Sequence, residues 1–320
     1  YTWGDNSNGQ LGNNSTTSRN LPVQTSAITD DVIFYAAAGG LHSLAVDSDG
    51  DVWAWGDNAK GQLGIGSTTD KSVPQRISQL SDIIAVSAGY QHSLALEDDG
   101  TVWAWGDNTY GQLGIDSSAS SLRTPEQVEG LENIVAISCG YYHSLALKAD
   151  GSVWAWGYNN KGQLGNNSTT ISRSPVPVRG IGGTGYLAGI VAISAGNYHN
   201  LALNSEGGVL AWGDNSKGQL GNNSTTAFFK NPVAVDALEG EDIVALAAGG
   251  LHSLAVDSNG DVWAWGYNAK GQLGIGSVAD KRTPAFVRAI GEVTAIAAGD
   301  AHSLAIDEDG RLWACGDNAK

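Results

Sequence analysis

One nine-residue phrase is written six times along this chain, and any fold proposed for it must repeat at the same interval. It reads AGGLHSLAV at 38–46, AGYQHSLAL at 88–96, CGYYHSLAL at 139–147, AGNYHNLAL at 195–203, AGGLHSLAV at 248–256 and AGDAHSLAI at 298–306. Each copy holds one of the protein's six histidines, His42, His92, His143, His199, His252 and His302, at spacings of 50 to 56 residues. A second phrase keeps the same period: WGDNSNGQLG from Trp3, WAWGDNAKGQLG from Trp53, WAWGDNTYGQLG from Trp103, WAWGYNNKGQLG from Trp154, LAWGDNSKGQLG from Leu210 and WAWGYNAKGQLG from Trp263. It returns, cut short, as WACGDNAK from Trp313. Such arrays bury their cores between neighbouring units.

Within one unit the strands are legible. Ile83–Ala88 is a short β-branched apolar run, expected as a strand buried on both faces. Ser93–Leu96 forms a second strand, and Asp98-Asp99-Gly100 signals a tight hairpin into a third at Thr101–Gly106. The Pro-containing Thr124–Val128 reads as a fourth, outer strand, where proline is tolerated. Four antiparallel strands per unit make a propeller blade. The two indoles of Val102-Trp103-Ala104-Trp105 project from one sheet face. At roughly 200 Å² each and about 25 cal/mol/Å², they offer on the order of 10 kcal/mol of gross burial between blades.

The sequence therefore predicts an all-β propeller of six four-stranded blades over residues 1–320. Residues 31–320 supply the repeats. Residues 1–30 are a partial repeat whose outer strand, near Leu21–Thr25, is expected to complete the last blade as a clasp between the termini. A seventh blade is expected if the chain is part of something longer. The start at Tyr1, with no initiator Met or signal peptide, points to a mature product or an excised part.

The unit AGxxHSLAL…DGxVWAWGxNxxGQLG resembles the repeat of the regulator of chromosome condensation family, across essentially the whole chain. In wording it is most similar to bacterial members. The resemblance implies a propeller, usually of seven blades, and several possible roles: nucleotide exchange on a small GTPase, light sensing in a plant photoreceptor, or inhibition of β-lactamases. Fold alone does not choose among them. The photoreceptor's tryptophan loops are absent, because the matching positions read Gly40-Leu41, Tyr90-Gln91, Tyr141-Tyr142, Asn197-Tyr198, Gly250-Leu251 and Asp300-Ala301.

Six equivalent histidines cannot form the asymmetric constellation that catalysis needs. They are expected to fix the turn between first and second strands by hydrogen bonds to nearby backbone. A metal-lined channel would need a second repeating ligand beside them, and none is written. The Asp47-Ser48-Asp49-Gly50-Asp51 hairpins reverse too quickly for a calcium loop and read as turn chemistry. Cys139 and Cys315 are too few for a disulfide framework or cysteine zinc site. No catalytic residue, metal or cofactor is expected.

Function is expected where the repeats differ. Tyr90, Tyr141, Tyr142 and Tyr198 fall in the first-to-second-strand loops of three consecutive blades. Tyr110 and Tyr158 fall in the third-to-fourth-strand loops of the same sector, with Tyr267 farther round. Both loop types emerge on one face, so these tyrosines form a crescent suited to a protein or glycan partner. Phe228 and Phe229 are a secondary contact, placed in a loop where other repeats are polar. Gly180–Ala188 lengthens one connection. The net charge of −16 disfavours nucleic acid and anionic lipid, and no apolar run is long enough to span a membrane.

The expected function is thus a non-catalytic binding scaffold. An acidic, sulphur-poor composition suggests a bacterial secreted or cell-surface setting, with the cytoplasm as the alternative. The other readings are a small-GTPase regulator, and a subunit that self-assembles head to tail through its overlapping terminal repeats.

Overall fold

The computed structural model describes residues 1–28, 32–288 and 290–319. Its strands form a propeller of six consecutive blades. The second blade shows the plan. Its strands are Ile83–Ala88, His92–Glu97, Val102–Asp107 and Ser121–Gln127, each antiparallel to the one before. Blades one, three, four and five repeat this order, and the sixth shows three strands, Val293–Ala298, His302–Asp307 and Leu312–Gly316. The ends of all six first strands line one central opening.

The core lies between blades rather than within them. Leu44, Val46, Val52 and Leu63 of the first blade enclose Trp105 of the second. Trp156, Trp212 and Trp265 are enclosed in the same way by the second, third and fourth blades. Sheets with apolar residues on both faces can bury them only against another sheet, so stacking supplies the stability that one blade lacks.

The first strands depart from the expectation of burial on both faces. In every blade the register slips after the first residue, as between Ile83 and Ala85. The extra residue of the bulge leaves the ladder. Ile84, Val135, Val191 and Val244 are accordingly exposed.

The chain ends also differ from expectation. Arg19–Val23 is a strand, but it pairs with Thr2–Gly4 rather than with Leu312–Gly316. No clasp between the termini is present among the described residues. The pairing that forms closes a short loop, which costs less chain entropy than joining the two ends. The pair stands against the first blade as each blade stands against its successor, for the Gln10 carbonyl accepts hydrogen bonds from Trp55 Nε1 and Ser43 Oγ.

Candidate partner-binding face

Five of the six histidines are scaffold, though not in the manner expected, while His302 of the last blade is exposed. His92 Nε2 meets Ser144 Oγ of the following blade at 3.1 Å, and Ser144 Oγ donates to the Gln112 carbonyl at 2.8 Å. A serine that spends its proton on the carbonyl must accept from the imidazole, so Nε2 carries the hydrogen. The same relay joins His42 to Ser93, His199 to Ser253 and His252 to Ser303, while His143 donates to Asn200 Oδ1 at 2.7 Å. Each bond therefore ties one blade to the next instead of closing a local turn. Burial lowers the pKa of His42, His143 and His252 to about 4, and of His92 and His199 to about 3. These imidazoles are neutral at pH 7.

Glycine makes room for them. Gly89 lies so close to the His92 ring and to the Gly140 carbonyl that no side chain fits there.

The acidic hairpins are occupied by their own turns. Asp47 Oδ1 accepts from the main-chain N–H groups of Asp49 and Asp51, and Oδ2 accepts from Trp53 Nε1 at 2.7 Å.

The tyrosines do converge. Tyr90 stacks on Tyr141 with ring centroids 4.2 Å apart and planes 11° from parallel. Tyr142 stands edge-on to Tyr141 at 4.5 Å. Tyr110 meets Tyr142 at 5.2 Å and Tyr158 at 4.6 Å, and Tyr198 lies 5.7 Å from Tyr141 and 6.2 Å from Tyr158. All six rings are half-buried, so they pack on one another and still present a surface. Burial, reinforced by the surrounding phenols, raises the pKa of Tyr198 to about 12 and that of Tyr141 higher still. Tyr141, Tyr142 and Tyr198 are thereby held further from ionisation at neutral pH.

A pattern at the rim was missed in the sequence. Around this face, from the first blade to the sixth, the residue before the GQLG turn of one blade reaches the residue that follows the third-strand glycine of the next. Lys60 pairs with Asp107 at 3.4 Å, Lys161 with Asp214 at 3.9 Å and Lys270 with Asp317 at 3.3 Å. Between the second and third blades both partners are exchanged together, for Tyr110 and Tyr158. Between the fourth and fifth, Lys217 lies over the Tyr267 ring at 4.8 Å. Aligning the two phrases one repeat apart would have revealed the exchange.

Phe228 and Phe229 are not loop residues. They open the outer strand Phe228–Ala234, opposite Asp214 and Gly213, and Phe229 packs on the core between the fourth and fifth blades. The matching positions of blades one, two, three and five, Lys71, Leu122, Ser172 and Lys281, also lie in outer strands, opposite the third-strand glycine. The mostly polar pattern there marked half-buried strand residues and not a loop. The Gly180–Ala188 extension also folds back: Arg179 bridges to Tyr186 and covers its ring, and Leu187 is buried.

This ring of blades carrying a variable face defines a repeat-propeller class, and the comparisons place the chain within it. The RCC1-like domain family matches residues 1–320, and the chain belongs to that family. It is 33% identical over 292 residues to the mitochondrial RCC1 domain-containing protein RUG3 of Arabidopsis thaliana, covering 88% of this chain and 64% of that protein. It is 33% identical over 295 residues to the ultraviolet-B receptor UVR8 of the same plant, covering 91% and 66%. The chain thus spans just under two thirds of either relative. Among solved structures, human WBSCR16 superimposes with a TM-score of 0.85 at 25% identity, covering 99% of this chain and 87% of that one. Yeast RCC1 (Prp20) bound to Kap60 gives 0.85 at 25%, covering 98% and 77%. The expected kinship with bacterial members gains no support, since RUG3 and UVR8 are plant proteins and the similar HERC6 and HERC2 are mammalian ones. Among the described residues no helix is long and apolar enough to cross a membrane.

Proposed function

We propose that the protein is a non-catalytic binding scaffold that grips a protein partner through Tyr90, Tyr110, Tyr141, Tyr142, Tyr158 and Tyr198. The observation that carries this reading is the joint exchange of a rim ion pair for Tyr110 and Tyr158, which joins the two loop tiers into one aromatic patch. Tyrosine supplies large contact area at small entropic cost, and a patch held on a rigid ring is organised before its partner arrives. Membership of a propeller family that includes a complex with Kap60 supports a protein partner over a glycan. A secreted or cell-surface setting is proposed on composition alone.

Regulation of a small GTPase is the second reading and rests on family kinship only. It predicts faster nucleotide release, which the tyrosine patch does not require. Head-to-tail assembly is a third reading, suggested by the exposed edge at Leu312 and Trp313.

The test is the double variant Tyr110→Lys, Tyr158→Asp, which restores the ion pair found at neighbouring rims. Chemical cross-linking in cells, with the bound proteins quantified against wild type, should show partners lost while the melting temperature does not fall. Unchanged partners with unchanged melting would reduce the patch to packing.

A further inference from the structure

Five blades place an indole at the same point against the preceding unit. Trp55, Trp105, Trp156, Trp212 and Trp265 each donate Nε1 to the main-chain carbonyl of the preceding GQLG glutamine, at 2.8, 2.8, 2.9, 3.0 and 2.8 Å. The second glycine of that turn lies flat against the ring. A Cβ at Gly12, Gly64, Gly114, Gly165 or Gly221 would stand only 2.8–2.9 Å from the indole nitrogen.

The sixth blade keeps the cradle and lacks the indole. Cys315 occupies the tryptophan position. The Gln272 carbonyl is still there, reached by Cys315 Sγ at 3.3 Å. Gly274 is still there too, but a Cβ on it would meet only Cys315 Sγ at 3.3 Å and Val287 at 3.4 Å. The space left behind is a cavity of about 160 Å³ lined by Leu254, Val262, Leu273, Val287, Ile296 and Ala305. No side chain with a formal charge lines it. Burial also holds the Cys315 thiol above its ordinary pKa, which keeps that wall neutral.

We infer that this cavity is a binding site for an indole group: a neutral, flat aromatic carrying one N–H donor. An apolar space of about 150 Å³ is large enough for a benzene-sized guest. Here the Gln272 carbonyl adds direction, because its five equivalents, at Gln10, Gln62, Gln112, Gln163 and Gln219, each accept an indole N–H. The guest would lie on Gly274 and cover the thiol, donating to the Gln272 carbonyl in place of the weak Cys315 S–H, beside the Ser303 hydroxyl that already donates there at 2.8 Å. A charged substituent is excluded from the interior, since nothing there would pair with it. This inference is independent of the tyrosine patch, which lies on a face formed by other blades.

The experiment is a fluorine NMR titration of 5-fluoroindole against the whole chain, with Cys315→Trp, Cys315→Leu and Cys315→Ala alongside. Saturable binding to wild type and to Cys315→Ala is expected, with at least a tenfold loss in Cys315→Trp. Cys315→Leu fills less of the space and should weaken binding if the tryptophan variant does not fold. Fluorobenzene should bind about three- to tenfold more weakly, the worth of one neutral hydrogen bond. Competition by N-acetyltryptophanamide would identify the guest as a tryptophan side chain; competition by indole alone would identify a free small molecule. Equal binding to wild type and Cys315→Trp, or no saturable binding to wild type, would overturn the inference.

Discussion

The rim between the first and second blades and the rim between the second and third are built on one plan and finished differently. At the first, Lys60 faces Asp107, and Asp107 also accepts a hydrogen bond from Gln112 Nε2 at 2.6 Å. At the second, Tyr110 faces Tyr158, and Gln163 Nε2 in the Tyr158 blade has no partner among the described residues. Gln272, in the blade where Tyr267 replaces the aspartate, is orphaned in the same way. The exchange therefore costs the fold a satisfied buried amide, which is a penalty of about 1–3 kcal/mol. Beneath the rim the two regions share their frame of histidine, glycine and indole. A loss accepted at the surface over an unaltered frame is the signature of a surface kept for binding.

That shared frame yields the largest expected effect. The five buried histidines titrate near 6.5 when unfolded and at about 3 to 4 when folded. Between those values the unfolded chain binds more protons, so stability falls as pH falls. By pH 5 each histidine removes about 2 kcal/mol. Melting followed by circular dichroism should be level above pH 7 and collapse between pH 6.5 and 4. A flat profile across that window would mean the imidazoles are not buried as described.

Next in size is the indole. Trp105→Ala and Trp156→Ala should each cost about 3–5 kcal/mol by denaturant unfolding, because each empties a fully enclosed site. Equal costs would show that the two rims stand on the same frame; a much smaller cost at Trp156 would break the comparison.

Smaller shifts sharpen it. Tyr158→Asp returns an acceptor to Gln163 and should stabilise by about 1 kcal/mol, whereas Asp107→Tyr orphans Gln112 and should destabilise by about as much. Opposite signs in paired thermal melts are the expected result, and like signs would refute the account of the orphaned amides. Least of all, Lys60→Ala should change stability by no more than about 0.5 kcal/mol, since 41% of its side chain is exposed and Asp107 keeps its hydrogen bond from Gln112. Any loss it does cause should vanish in molar salt.

Much of the fold was legible because it is local. The alternation in Val102-Trp103-Ala104-Trp105, the Asp-Gly hairpins and the proline-bearing outer strand each declare themselves within a few residues. The meeting of Tyr90, Tyr110, Tyr141, Tyr142, Tyr158 and Tyr198 was legible too, because four-stranded topology sends both loop types to one face. The placement of Phe228 and Phe229 was not, since a polar pattern in sister repeats does not mark where an outer strand begins. Nor did Cys315 stand out as a vacancy; read alone it is a small buried hydrophobe, and only the indoles in the same place elsewhere give it meaning.

The amino-acid sequence by itself determined the blade, the number of first strands and the residues that vary between repeats, for these follow from short-range periodicity and turn chemistry. Tertiary structure decided what each blade touches. The histidine finds its serine 51 to 54 residues away, on another sheet. The lysine finds its aspartate one repeat on, and the N-terminal strand chooses its close neighbour over the distant end. Those choices depend on stacking geometry and chain entropy, which no window of sequence contains.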